Sequence, residues 1–477
     1  MQRITRGDLA AACRWQRLRR VRLRAVWPLA GLLVILLTCR FGGVADAATW
    51  SSEKLVTEPY FNGQMLIREA GQEHPELVLL LHGLGDEAGT TWDSLLPELA
   101  THYHVVAPDL PGFGRSAKGN QLYTPEAYAA IVDWLVATLP DKPLTLVGHS
   151  LGGAVAMVYA SRHSAELKRL VLVDTVGTLH RLALSQYFVR QQLRLEVPFF
   201  ADSLQSSLGK VAGLLLEKTS RIPLDPGLIL TSAELRERFL AGDPARIAAL
   251  ALVETNFSLL LPRIRVPTWL LWGTQDQVAP LRIAKLLAWN LPQAQLVLLD
   301  GLGHTPMAEN PARFNNALLG RLTENPQRPQ PVASPPELAA GFCEGENGRV
   351  FSGHYSTLSI QRCRNVRLEN LSARHIEIHD SEVTMESSRI HSLTEAPALL
   401  VSHSRLTLTG VDLQGTVGIL TEQSRLDLAG VRFIDTPVAI SAIGHPSALL
   451  SSSSAKFIGN RAQGLQMNRS LVAGDRL

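Results

Sequence analysis

Leu144-Thr145-Leu146-Val147-Gly148-His149-Ser150-Leu151-Gly152-Gly153-Ala154 runs from an apolar, β-like stretch at residues 144–147 into a helix-like stretch at residues 154–160. Between them stands a Gly-x-Ser-x-Gly pentapeptide. A sharp strand-to-helix turn here exposes the Ser150 hydroxyl and aims the next backbone N–H groups, at the positive end of the new helix, toward any oxyanion formed beside it. Small residues on both sides of Ser150 suit the close approach of strand and helix backbones, which leaves no room for a larger side chain. A surface Gly/Ser loop can carry the same pentapeptide, so the strand and helix flanks are what separate the two readings.

Working outward, short β-like runs at residues 77–81, 105–107, 144–147, 170–174, 268–272 and 295–299 alternate with helical stretches. This pattern predicts an α/β domain with a largely parallel sheet over residues 48–322. Sites in such sheets form where loops converge at the carboxyl ends of the strands. Residues 177–265 break the alternation with Leu-, Ala-, Arg- and Glu-rich segments, including amphipathic runs at 179–188 and 204–216. That is longer than one crossover requires, and it predicts a helical cap over the carboxyl edge of the sheet.

A hydroxyl acts as a nucleophile near neutral pH only with a base to take its proton and a third group to orient that base. Asp276, on the exit loop of the run at 268–272, and His304, in Gly301-Leu302-Gly303-His304 after the last run, supply both in the order Ser, Asp, His. Asp174, at the end of an earlier strand candidate, competes for the acid role. His149 points off the turn as a packing or hydrogen-bonding residue rather than the base. Two backbone donors should face the oxyanion: the N–H of Leu151, and one from His82-Gly83-Leu84-Gly85, where Leu84 is preferred over Gly83.

These stretches, with Asp109-Leu110-Pro111-Gly112-Phe113-Gly114-Arg115-Ser116 as a structural turn, resemble the α/β-hydrolase fold superfamily and in particular its lipase and carboxylesterase branch. The resemblance covers about residues 77–322. It implies an α/β-hydrolase fold with a helical cap, a catalytic Ser150, Asp276 and His304, an oxyanion hole at Leu84 and Leu151, and an acyl-enzyme intermediate. Dehalogenase and epoxide-hydrolase relatives use Asp as nucleophile, which Ser150 argues against. Serine-bearing C–C bond hydrolases and perhydrolases stay open. No metal or organic cofactor is required by this chemistry.

The 477-residue chain is 46% apolar, long enough for two or three domains. Its net charge of +3 is misleading, because residues 1–47 hold nine Arg against Asp8 and Asp46 and so contribute +7, leaving −4 on the remainder. A mildly acidic chain gives no reason to expect nucleic acid as a partner. The Arg-rich start, the apolar core at 25–39 and Ala45-Asp46-Ala47 predict an export signal cleaved after Ala47, with an uncleaved membrane anchor as the alternative. Leu36-Leu37-Thr38-Cys39 resembles a lipoprotein box with Thr38 in an unusual place, and the flanks of Arg19-Arg20 match twin-arginine export poorly. The expected location is periplasmic or cell-envelope associated, or secreted. Cys343 and Cys363, the pair left after Cys13 and Cys39, fit a disulfide.

A Pro-rich linker at 323–340 precedes a different pattern at 341–477. Ser381-Glu382-Val383-Thr384, Ser404-Arg405-Leu406-Thr407, Ser424-Arg425-Leu426-Asp427 and Ser447-Ala448-Leu449-Leu450 start 23, 20 and 23 residues apart. Gly410-Val411-Asp412-Leu413 is echoed by Gly430-Val431-Arg432-Phe433, and Val417-Gly418-Ile419 by Val438-Ala439-Ile440. A period near twenty with inward apolar residues predicts an all-β stacked solenoid, most simply a parallel β-helix, ahead of a leucine-rich repeat or a β-sandwich. This half resembles the right-handed β-helices of pectate-lyase-like proteins. Glu369, Glu377, Asp380, Asp412, Asp427 and Asp435 are expected as scattered acids on a solvated face rather than as a polysaccharide-cleaving set.

The expected function is hydrolysis of carboxylic esters, lipid or acylglycerol esters among them, with a small-molecule or lipid ester as the partner. Two alternatives give the repeat half more weight. One is an esterase that deacylates a polysaccharide bound by the β-helix, and the other an envelope-binding module whose β-helix grips a glycan or partner and whose hydrolase half is inactive.

Overall fold

The computed structural model describes residues 50–179, 226–324, 326, 338–443, 449–453, 455–458, 463–467 and 471–474. The expected export segment, the cap runs at 180–188 and 204–216, the linker at 327–337 and the repeat start at Ser447 lie outside the described residues. Among the described residues no single helix is long and apolar enough to cross a membrane.

One sheet has the order β1-β2-β4-β3-β5-β6-β7-β8, from β1 (Ser52–Thr57), β2 (Gln64–Ala70), β3 (Leu77–Leu81), β4 (His104–Pro108), β5 (Leu144–His149), β6 (Leu167–Val173), β7 (Thr268–Gly273) and β8 (Ala294–Leu299). Its β3 to β8 pairs are parallel, while β1 and β2 form an antiparallel edge. The edge pair is absent from the apolar pattern for a physical reason. Arg68 and Glu69 of β2 are buried, neutralised by Asp109 on one side and by His104 and Lys54 on the other, so a core strand reads as charged.

β3, β4 and β5 are buried at every position, as expected of parallel strands covered on both faces. The covering helices include α1 (Leu96–Leu99), α2 (Pro125–Thr138) and α3 (Leu151–His163), then, after the insertion, α4 (Pro226–Thr231), α5 (Ala233–Leu240) and α6 (Pro244–Glu254), and finally α7 (Leu281–Asn290), α8 (Pro306–Glu309) and α9 (Pro311–Thr323). Starts are capped in familiar ways. Thr124 accepts from the Ala127 N–H ahead of Pro125, and Asp243 accepts from the Arg246 N–H ahead of Pro244. The described part of the insertion is helical, and α6 buries Ile247 to Leu252 in the main core.

The second sheet is all parallel and curled into a β-helix-like solenoid. Its register repeats the sequence echoes: Leu406 stands beside Leu426, Asp412 beside Arg432, Leu413 beside Phe433, and Ile419 beside Ile440. The serines that begin the repeats form a buried ladder. The Oγ of Ser381 accepts from the Cys363 N–H, that of Ser404 from the Ser381 N–H, and that of Ser424 from the Ser404 N–H, at 2.9, 2.9 and 3.2 Å. Each hydroxyl also donates to the carbonyl two residues back, at 2.6 Å. Cys363 takes the ladder position one rung earlier and is disulfide-bonded to Cys343.

The solenoid packs directly on α7. Arg282 donates to Thr409 Oγ1, to the Leu408 carbonyl and to both Asp427 oxygens, and Lys285 pairs with Glu386. Trp289 lies under the Arg432 guanidinium, 4.8 Å from its ring, and that guanidinium in turn grips Asp412. Gly410 and Gly430 sit where α7 touches, and a Cβ there would fall 2.7 Å from Trp289 Cγ and 2.5 Å from Leu286 Cδ1. Asp412 and Asp427 therefore depart from the expected solvated face: Asp412 is buried against Arg432, and Asp427 binds the hydrolase half.

Candidate active site

The turn between β5 and α3 holds Ser150 at φ +51° and ψ −113°, a conformation that costs a non-glycine residue strain and is found where the surroundings enforce it. Those surroundings are tight. A Cβ on Gly148 would come within 2.4 Å of the Gly152 carbonyl oxygen, on Gly152 within 2.2 Å of the Leu81 oxygen, and on Gly153 within 2.0 Å of Thr175 Oγ1. Glycine at all three positions lets the helix start directly behind the strand.

His304 reaches the turn from the loop after β8. Its Nδ1–H donates to Asp276 Oδ2 at 2.8 Å, and its Nε2 faces the Ser150 hydroxyl at 2.9 Å. Asp276 is aimed by its own loop, since its Oδ1 accepts from the N–H groups of Val278 and Ala279 at 2.7 and 2.8 Å. The three side chains form one continuous hydrogen-bonded line, all of it buried. The loop of His304 passes so close to β7 that a Cβ on Gly273 would lie 2.2 Å from the Gly303 carbonyl oxygen.

Leu151 is the first residue of α3, so its N–H belongs to the helix-start donors that have no intrahelical acceptor. Gly83, just before Leu84, passes Ser150 so closely that a Cβ on it would stand 3.0 Å from Ser150 Cβ. That loop is pinned by His82, whose Nε2 accepts from the Leu110 N–H at 2.8 Å and whose Nδ1–H donates to the Gly83 carbonyl at 2.7 Å. Burial pushes the His82 imidazole below its usual range, consistent with a neutral ring that both donates and accepts. The stretch at 109–116 is a structural turn: buried Asp109 binds the Arg68 guanidinium and the N–H groups of Gly89 and Arg115.

His149 is not the base. Its Nε2–H donates to the backbone carbonyl of His304 at 2.7 Å, tying the turn to the histidine loop. Burial, reinforced by the His304 ring 5.0 Å away, holds His149 down to about 3, so it adds no charge beside His304. Asp174 lies beside Asp276 rather than on His304. Glu309 has no counterpart in the sequence reading. It accepts from the N–H groups of Gly303 and Thr305 and so clamps both sides of His304. The available signal was an acid four residues after Thr305, which stands at the start of α8.

Among the described residues no group of three or more His, Cys, Asp or Glu is arranged to hold a metal ion. Residues 76–311 match the alpha/beta hydrolase fold family. An uncharacterized protein of Mycobacterium tuberculosis is 32% identical over 249 residues, covering 50% of this chain and 72% of that protein. The chain belongs to the α/β-hydrolase fold family. This hydrolase is also 32% identical over 254 residues to a pimeloyl-[acyl-carrier protein] methyl ester esterase of Aromatoleum aromaticum, covering 50% of the chain and 94% of the esterase. With Lipase 3 of a Moraxella species it shares 27% identity over 248 residues, 52% of the chain and 77% of the lipase.

Proposed function

We propose that this α/β hydrolase is an exported serine esterase that cleaves carboxylic esters, with lipid and acylglycerol esters as its substrate class. The observation that carries the reading is the unbroken line from Asp276 through His304 to the Ser150 hydroxyl. His304 Nε2 takes the hydroxyl proton as Oγ adds to the ester carbonyl. Asp276 holds the imidazole with its Nδ1–H toward the carboxylate and balances the positive charge that forms. The N–H groups of Leu151 and Leu84 receive the oxyanion, each donor being worth about 3 kcal/mol in the transition state. Collapse returns the proton to the departing alkoxide and leaves an acyl-enzyme, and His304 then activates a water to release the acid. Lipase and ester-hydrolase relatives support the ester class. The Arg-rich, then apolar, N-terminal stretch and the Cys343–Cys363 disulfide support a periplasmic or envelope location.

Hydrolysis of p-nitrophenyl esters over a series of acyl lengths, by the parent and by Ser150→Ala, tests the reading. Activity that depends on Ser150 and persists into medium and long acyl chains supports it. Equal rates in both proteins would sink it.

A further inference from the structure

Two acids, Asp174 and Asp276, are tied to Gly273 behind His304, and only Asp276 holds the imidazole. Asp174 follows β6 with φ +42°, a left-handed backbone that Asp and Asn tolerate better than other side chains. Its side chain has no exposed surface. The Oδ1 accepts from the Gly273 N–H at 2.8 Å, and the carbonyl of that same Gly273 accepts from the Asp276 N–H, so one residue ties the two acids together, whereas Asp174 Oδ2 is buried and meets no donor among the described residues. Asp276 has far more support, with two backbone N–H groups on Oδ1 and the His304 Nδ1–H on Oδ2.

Two neighbouring buried carboxylates do not both stay ionised, and the proton settles on the one with fewer donors. That is Asp174. Burial, and then the neighbouring Asp276 charge, holds its carboxyl well above the usual carboxylate range. The titratable groups that act on the pair are His304, bonded to Asp276, and Glu309 at the foot of the histidine loop, whose charge reaches Asp174.

We propose that Asp174 is a protonated positioning residue whose O–H donates to the Asp276 carboxylate, steadying it against His304 and drawing off part of its negative charge. The inference rests on Asp276 being the acid of the triad. Asp174 itself touches neither substrate nor the reacting atoms. Its proton moves nowhere in the cycle; its effect is to moderate how strongly Asp276 favours the charged imidazole.

The test uses the full chain with Asp174→Asn, Asp174→Gly and Asp276→Asn, measuring kcat, KM and the pH profile on a small p-nitrophenyl ester. Asparagine reproduces a protonated acid, since its amide N–H can donate to Asp276 and its oxygen can accept from Gly273. Its kcat should stay within about threefold of the parent, with an unmoved profile. Glycine fits the backbone but removes the donor. The acid limb of its profile should then move up by about 0.5 to 1 pH unit, with kcat lowered more than KM is changed.

Thermal unfolding gives an independent reading. The folded parent keeps a proton that the unfolded chain releases. Its stability contribution is therefore complete below the ordinary carboxyl range and is lost as pH rises from there, a slope that Asp174→Asn should lack. A loss of a thousandfold or more in Asp174→Asn with Asp276→Asn little changed would make Asp174 the ionised acid and overturn the proposal. So would a glycine variant whose profile superimposes on the parent, or an asparagine variant that keeps the parent's stability slope. Failure of the triad reading itself appears separately, as full activity in Ser150→Ala.

Discussion

Ser150 and Ser404 are both buried serines that stand where a strand ends, yet the two halves of the molecule use them in opposite ways. In the solenoid the strained residue precedes the serine: Asp380, His403 and Gln423 have φ between +44° and +49°, and Ser381, Ser404 and Ser424 follow in relaxed positions. Each ladder hydroxyl donates to a carbonyl and accepts from the N–H of the preceding rung, so both its donor and an acceptor site are committed. In the hydrolase half the strain sits on the serine itself, and His304 Nε2 is placed to receive the Ser150 proton. The backbone that presents the side chain makes the difference, and the same residue type becomes a structural rung when the strained position is shifted by one.

The contrast can be broken most severely at Asp276. Asp276→Asn should lower kcat by about 10⁴-fold with little change in unfolding, because the tautomer of His304 would no longer be held; steady-state kinetics at neutral pH checks this. A second effect separates the halves by pH. His149 stays a neutral imidazole in the folded state down to about pH 3, whereas in the unfolded chain it gains its second proton near 6.5, so its contribution is present above 6.5 and is lost as pH falls toward 3. The unfolding free energy of the parent from chemical denaturation should decline across that window by up to about 1.4 kcal/mol per pH unit, and His149→Asn should remove that part of the decline.

Smaller effects probe the solenoid. Gly410→Val would drive a side chain into Trp289 and should cost about 2 to 3 kcal/mol in urea unfolding of the full chain. Ser404→Ala leaves the Ser381 N–H without its acceptor and should cost about 1 to 2 kcal/mol while kcat stays at the parent value. A loss of catalysis in Ser404→Ala larger than its loss of folded protein would contradict the division of labour between the two kinds of serine.

The strands of the parallel sheet and the turn around Ser150 were legible because apolar runs and glycine spacing report directly on close backbone approach. Asp276 and His304 were legible as types at strand ends. Their alignment depends on hydrogen bonds from Val278, Ala279, Glu309 and His149, which local pattern does not encode. The repeat period exposed the solenoid, and the register follows the echoes residue for residue. What stayed hidden was contact at a distance. The β2 strand carries charges that are neutralised by residues far along the chain, and Asp412 and Asp427 read as surface acids until Arg432 and Arg282 are placed against them. The glycines at 410 and 430 entered the sequence pattern only as part of a repeat echo, although the packing of α7 sets a requirement of its own there.

The central claim is that Ser150 becomes covalently acylated during turnover. Treating the full chain with a fluorophosphonate ester, followed by peptide mass mapping, addresses it directly. One adduct per chain, carried by the peptide containing Ser150 and absent from Ser150→Ala, is the predicted result. An adduct on another residue, or ester turnover by the parent with no adduct at Ser150, would contradict it.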